Sequence, residues 1–261
     1  MRIIGSARKD QNMAEITVPE ITMFIEKNIP DFHRTRLKSL ARLSLQKVLR
    51  RKNPYLFKAK FVVSAPDLIK LILDAHLSSQ EESIFGTFLE SLAVFICGRV
   101  FSAKKSSAEG IDMEFERDSI YYIVSIKSGP NWGNSGQIKK MQQNFRQAKR
   151  ILGTNSAARN IVAVNGCCYG REKSEDKGDY IKKCGQSFWS FISGDDDLYT
   201  CLIEPIGYKA KERNEEFFVE YGKVVTRFTA EFTGQFCAED GTILWEDFVQ
   251  FNSGQAVTSV S

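Results

Sequence analysis

The stretch from Gly110 to Gln137, GIDMEFERDSIYYIVSIKSGPNWGNSGQ, limits the possible folds more than any other. Asp112, Met113, Glu114, Phe115 and Glu116 alternate acidic and apolar, which makes a strand with a carboxylate face and a core face. Arg117, Asp118 and Ser119 carry turn chemistry. The next run divides in the same way, with Ile120, Tyr122, Val124 and Ile126 on one face and Tyr121, Ile123, Ser125 and Lys127 on the other. A two-residue loop at Asp118 and Ser119 places Asp112 opposite Ser125, with Lys127 one diagonal further along the same face. Such side chains lie roughly 5 Å apart directly across the strands and about 7–8 Å apart on the diagonal. A carboxylate and an ammonium then meet at one end of a sheet.

The helix expected just before this hairpin, from about Glu81 to Val100, carries Gly86, Glu90, Ala93, Val94 and Cys97 on one stripe. Glu90 is a lone carboxylate among small or apolar neighbours. Burial of an unpaired carboxylate is costly, so Glu90 is neutral, pairs with a cation such as Lys127, or binds a metal. Glu82, Glu114 and Glu116 are the rival carboxylates.

Asp112 with Ser125-Ile126-Lys127 on the following strand resembles the PD-(D/E)XK core of many type II restriction endonucleases. The run Ser125-Ile126-Lys127-Ser128-Gly129-Pro130-Asn131-Trp132-Gly133-Asn134-Ser135 is similar to the IKSGPN signature of a subset of them. Lys52-Asn53-Pro54-Tyr55-Leu56-Phe57 and Cys184-Gly185-Gln186-Ser187-Phe188-Trp189-Ser190-Phe191 also look like segments of that family, so the resemblance spans residues 50 to 207. Two positions depart from the pattern. Ile111 stands where the motif has proline, and Ser125 stands where it has Asp or Glu, which removes a metal ligand.

The resemblance implies an α/β (α+β) fold with a restriction-endonuclease-like core, a mixed β-sheet flanked by helices, and a helical N-terminal extension. It implies Mg2+ held by Asp112, Glu90 and the main-chain carbonyl of Ile126, with Lys127 orienting or deprotonating the attacking water. Glu90 is the position that fits the glutamate which such enzymes often supply from the helix before the first catalytic strand. It implies double-stranded DNA as substrate and a homodimer matched to a palindromic site. Asn131, Trp132 and Asn134 in the loop after Lys127 are candidate DNA contacts, because amides read base edges and an aromatic ring stacks or wedges. Trp132 has packing of the loop as its alternative role. Gln137, Lys139 and Lys140 extend the candidate DNA surface along the next helix.

Charge is segregated. From Arg34 to Lys60 there are ten basic residues and no acidic one, and from Ser119 to Arg171 eight more, again without an acid. Negative charge gathers at Asp195 to Asp197 and from Glu212 onward. The two acid-free blocks suit phosphate binding. Three consecutive aspartates at a helix start complement its dipole. A chain of 261 residues with 43% hydrophobic residues can bury a sizeable core as one domain with elaborations or as two small ones. The expected division is a basic helical region over 1–64, for DNA contact, dimerisation or both, and a nuclease domain with a helical C-terminal part over 65–261.

No apolar run is expected to span a membrane, and residues 1 to 11 lack the apolar core of a signal peptide, which points to a cytoplasmic protein. The six cysteines are then expected as reduced thiols. Cys167, Cys168 and Cys184 do not match the spacing of zinc sites, so structural zinc is not expected.

Along the chain, residues 1 to 14 read as a mobile leader. Pro19 opens a helix to Asn28, and Pro30 with Asp31 ends it and starts a cationic amphipathic one with Leu37, Leu40, Ser44, Leu45, Val48 and Leu49 in its stripe. Ser64 starts a further helix through Leu77, separate from the one carrying Glu90. A helix from Gln137 to Leu152 and a strand from Asn160 to Tyr169 follow, then an exposed charged loop from Arg171 to Lys183 and a short aromatic helix from Gln186 to Ser193. Helices are expected over Leu198 to Tyr208 and Lys211 to Phe236, the latter with Phe217, Phe218, Val224, Val225, Phe228 and Phe232 in its core stripe. Thr242 to Phe251 is a short strand or helix, and residues 252 to 261 are frayed. Three functions remain open: a sequence-specific endonuclease, a structure-specific nuclease of repair or recombination, and a non-catalytic DNA-binding protein of the same fold.

Overall fold

The computed structural model describes residues 3–4, 16–154 and 160–255. Most of the expected leader and the end of the frayed tail lie outside the described residues. Within the leader, β1 (Ile3–Ile4) pairs antiparallel with β2 (Ile16–Thr17). Helix α1 (Val18–Ala41), the short helices α2 (Leu45–Leu49) and α3 (Pro54–Ala59), and the long helix α4 (Ala65–Phe101) then lead to the sheet.

Two compact units form, one from Met1–Phe32 and Phe85–Tyr208, the other from His33–Ile84 and Lys209–Ser261. They interleave along the chain, with boundaries after residues 32, 84 and 208, none of them at the expected linear division after residue 64.

The first unit is built on a five-stranded mixed sheet in the order β3 (Lys104–Lys105), β4 (Met113–Arg117), β5 (Ile120–Lys127), β6 (Asn160–Cys167) and β7 (Ile181–Cys184). The β4–β5 hairpin closes on Asp118 and Ser119, whose φ values of 53° and 60° are those of a two-residue turn matched to strand twist. β5, β6 and β7 run parallel. A parallel neighbour requires a crossover, and α5 (Ser135–Thr154) supplies it between β5 and β6.

One sheet face carries Met113, Phe115, Val124, Ile126 and Val164 and shares its core with Leu89, Leu92, Ala93 and Ile96 of α4 and with Phe188, Trp189 and Ile192 of α6 (Gln186–Ser193). On the other face Ile123 and Ala163 pack with Met141, Phe145 and Ala148 of α5. This is the restriction-endonuclease-like, mixed α/β architecture expected from the sequence. Gly166 allows α6 to lie against β6, because a Cβ there would sit 2.1 Å from Phe188.

The first unit ends in two one-turn helices, α7 (Leu198–Cys201) and α8 (Ile203–Ile206). A single helix was expected here. Pro205 has no N–H to donate back to Cys201, so the helical ladder is interrupted there. The second unit continues with α9 (Ala210–Phe236) and α10 (Trp245–Ser253). Its core joins Leu40, Leu45, Val48, Leu49, Phe57, Leu68 and Ile72 to Phe217, Val224, Phe228, Phe232 and Phe248. Phe218, expected in that core, is 62% exposed.

Other expectations are also revised. Pro30 lies inside α1 rather than ending a helix; Ile21, Ile25 and Ile29 are anchored before it and Leu40 after it, so packing outweighs the lost hydrogen bond. The expected Leu37–Leu49 stripe breaks after Ala41, with Ser44 at the start of α2. The two helices expected between Ser64 and Val100 are one. The apolar period lapses around Ser78–Ser83, but helix-forming Gln80 and Glu81 bond to Ser39 and Arg36 and carry the helix on.

By length and composition alone, α4 is therefore long and apolar enough to cross a membrane. Its apolar side chains go into the cores of both units instead. Finally, the expected exposed loop at Arg171–Lys183 contains the start of β7. Lys182 and Lys183, which made the segment read as solvated, are paired with Glu172 and Glu175.

Candidate active site

The hairpin turn fixes the register Met113↔Val124, and the Asp112 side chain, just before β4, comes beside that of Ser125. Asp112 lies one residue before β4, where its N–H donates to the Val124 carbonyl at 2.8 Å. Its carboxylate turns back across the strands. Oδ2 accepts the N–H of Ile126 at 2.5 Å and faces the Ser125 hydroxyl at 3.5 Å. A backbone hydrogen bond thus orients the acid at the end of β5, next to Lys127. Ser125 is buried, 1% exposed, beneath it.

Lys127 is half-buried at the last position of β5 and pairs in register with Cys167 of β6. Its ammonium lies 5.4 Å from the centre of the Trp132 ring. The Trp132 indole N–H donates to Asn165 Oδ1 at 3.2 Å, and Asn165 Nδ2 donates to the Ser125 carbonyl at 3.2 Å. Asn165 is 1% exposed. It ties the ring beside Lys127 to the strand that carries Lys127, a role the sequence reading missed. The signal was present as the asparagine in the middle of the otherwise apolar run IVAVNGCC.

Glu90 arrives from α4. Gly86, one turn earlier, faces Ser128: a Cβ there would meet the Ser128 Cβ at 3.5 Å, so this part of the helix lies against the loop after Lys127. Glu90 is half-buried. Burial first, then the negative charge of Asp112, pushes its carboxyl up, while Lys105 and Lys127 pull it down. Burial, with a smaller effect of the Glu90 charge, pushes the Cys168 thiol up to about 12. Glu90, Asp112 and Lys127 therefore act within one electrostatic neighbourhood. The rivals lie elsewhere: Glu114 is held by Lys104 at 3.5 Å and Ser106 at 3.4 Å, and Glu82 and Glu116 are exposed.

These residues fit a hard divalent cation. The Asp112 charge raises the cost of ionising Glu90, and a dication between two carboxylates offsets that repulsion. The Ile126 carbonyl belongs to the residue whose N–H already holds Asp112. Among the described residues no group of three His, Cys, Asp or Glu side chains could hold a metal.

The loop after Lys127 is held on several sides. The Lys127 and Ser128 carbonyls accept the N–H groups of Cys168 and Tyr169 at 3.0 and 3.1 Å. Gly129 leaves no room for a side chain, since a Cβ would sit 2.3 Å from the Tyr169 ring. The Pro130 carbonyl accepts Lys182 Nζ at 3.0 Å. Asn131 is exposed and Trp132 half-buried. Asn134 and Gln137 form a reciprocal capping box at the start of α5, each side-chain oxygen accepting the other's backbone N–H at 3.0 Å. Lys139 and Lys140 are exposed on α5, and Lys140 meets Glu109 at 2.9 Å.

Residues 19–214, three quarters of the chain, match the family model described as type II restriction endonuclease EcoO109I. No curated protein matches the chain. The match covers α1, the sheet and every residue of the Glu90, Asp112 and Lys127 constellation. The chain belongs to the EcoO109I family of type II restriction endonucleases.

Proposed function

We propose that this endonuclease is a Mg2+-dependent enzyme of PD-(D/E)XK type that hydrolyses phosphodiester bonds of double-stranded DNA at a specific sequence. The observation that carries this reading is the Asp112 carboxylate held on the Ile126 N–H beside Lys127, with Glu90 in the same electrostatic field. Asp112, Glu90 and the Ile126 carbonyl would hold the cation. When bound, Mg2+ supplies charge neutralisation at the scissile phosphate and lowers the pKa of a water.

The chain's own residues do the rest. Lys127 orients the attacking water or takes its proton, and its positive charge stabilises negative charge developing on the phosphate oxygens. The Ser125 hydroxyl backs the Asp112 carboxylate and is too buried to reach substrate. Asn131, Trp132 and Asn134 in the loop, with Gln137, Lys139 and Lys140 of α5, form the proposed DNA contact. Of these, the Asn134 and Gln137 oxygens already serve the capping box, which leaves their amide N–H groups to meet DNA. Two copies related by a two-fold axis would match a palindromic site, and the basic region over 1–64 serves DNA contact, dimerisation or both. The enzyme acts in the cytoplasm as part of a restriction-modification system.

Incubation with phage and plasmid DNA, with and without Mg2+, followed by sequencing of the ends, tests this. Discrete metal-dependent fragments sharing a terminal sequence are expected. The buried Ser125 in place of an acid favours one second reading, a DNA-binding protein that has lost the chemistry. Its signature is a mobility shift with no cleavage in either Mg2+ or Mn2+.

A further inference from the structure

Phe61 is the most exposed large apolar side chain among the described residues, at 84%. It follows α3 with φ of 56°, in the left-handed region where a side chain costs backbone energy. Its N–H donates to the Lys58 carbonyl at 3.0 Å and that of Val62 to Phe57 at 3.3 Å, a helix closure that usually has glycine at this position. A phenylalanine here gains little from burial and strains the turn, so folding does not account for it. Tyr55, Leu56 and Val63 expose 63%, 49% and 63% of their surface on the same segment. Of the segment only Pro54 and Phe57 are buried, and Phe57 anchors it in the core of this unit.

The apolar edge lies in a cationic field. Arg50, Arg51, Lys58 and Lys60 are exposed, and none makes an ion pair among the described residues. The sequence has no acid from Arg34 to Lys60. One carboxylate from elsewhere in this unit, Glu246, shares with Tyr55, Lys58 and Trp245 a groove of about 420 Å³.

We infer that this segment of the second unit binds duplex DNA, with the exposed cations on phosphates and Phe61 entering a base step as an apolar wedge. The inference rests on the reading of duplex DNA as substrate and adds a contact outside the candidate active site. Aromatic and aliphatic wedges flanked by Lys and Arg are a recurrent way to unstack and bend a duplex, because stacking on the ring offsets part of the lost base stacking. A second copy of the chain fits the segment less well. A two-fold contact would set Arg50, Arg51, Lys58 and Lys60 against the same cations of the other copy. Phosphates supply the missing counter-charge.

The test uses the full chain without divalent metal, so that binding is read apart from cleavage, and a fluorescein-labelled duplex containing 2-aminopurine. Parent protein should bind and raise the 2-aminopurine fluorescence as a base step opens. Phe61→Gly should bind about tenfold more weakly, with the fluorescence rise lost and the salt dependence unchanged. Glycine accepts the positive φ, so this variant should melt at or above the parent temperature, which separates lost contact from lost fold. Lys58→Ala with Lys60→Ala should instead reduce the slope of log K against log salt by about 2. Parent-like binding and fluorescence by Phe61→Gly would overturn the inference while leaving the DNA reading intact. So would a Phe61→Gly protein that binds DNA normally but sediments at a lower mass than parent, which would give the surface to a second copy. Failure of the parent to bind duplex would overturn both.

Discussion

Asp112 stands where β4 has given out, and that position explains how an acid can be both fixed and available. The Ile126 N–H that a longer β4 would have satisfied is bonded by the Asp112 carboxylate instead. Loss of this side chain should leave Ile126 N–H without its partner and remove a cation ligand together. Glu90 differs, because its carboxyl is already pushed up by burial and by Asp112. Glu90→Gln relieves that repulsion and should fold at least as stably as parent, while cleavage requires a higher Mg2+ concentration; a Mg2+ titration of cleavage rate checks this. Asn165 acts through other residues. Asn165→Leu removes both bonds that tie Trp132 and Ser125 together and leaves the indole N–H without its acceptor, at a cost of about 1–3 kcal/mol in denaturant unfolding. It should also lower kcat with KM little changed, as expected for a residue that positions Lys127 without touching DNA.

At the scale of elements, β7 shows how charge conceals structure. Lys182 and Lys183 sit in the strand, and the Ser174 N–H with Lys177 and Lys182 holds the Glu172 carboxyl down at about 2. The folded value lies below the ordinary 4.5, so the stabilisation from Glu172 is complete above pH 4.5 and is lost as pH falls from there toward 2. Glu172→Gln should flatten acid unfolding in that window, as followed by circular dichroism. The capping box of α5 gives another measure: Asn134→Ala should cost about 1 kcal/mol in thermal unfolding.

The β4–β5 register, the strand at Asn160, the aromatic helix at Gln186 and α9 follow from local period and turn chemistry, and they came out as expected. Pro30 inside α1, the continuity of α4 and the bond from Lys182 to the Pro130 carbonyl depend on contacts distant in sequence, which local pattern does not encode. For the same reason Asn165 escaped notice while Asp112 and Lys127 did not. The hairpin brings those two together, but only a parallel crossover through α5 brings Asn165 beside them.

For the whole molecule, the two units divide the chain discontinuously, with α1 and α4 each passing from one to the other. The sheet unit carries Glu90, Asp112 and Lys127, and the helical unit carries the more densely basic of the two acid-free blocks, with Phe61 just after it. A homodimer is expected for a palindromic site, and equilibrium sedimentation at micromolar concentration should return twice the chain mass of 29.6 kDa.

The most direct test of the active-site assignment compares Asp112→Ala and Lys127→Ala with parent in Mg2+, measuring DNA cleavage and DNA binding on the same preparations. Both variants should bind duplex DNA and yield no fragments while the parent cuts at discrete sites. Substantial cleavage by either variant, with the parent's fragment pattern, would contradict the assignment.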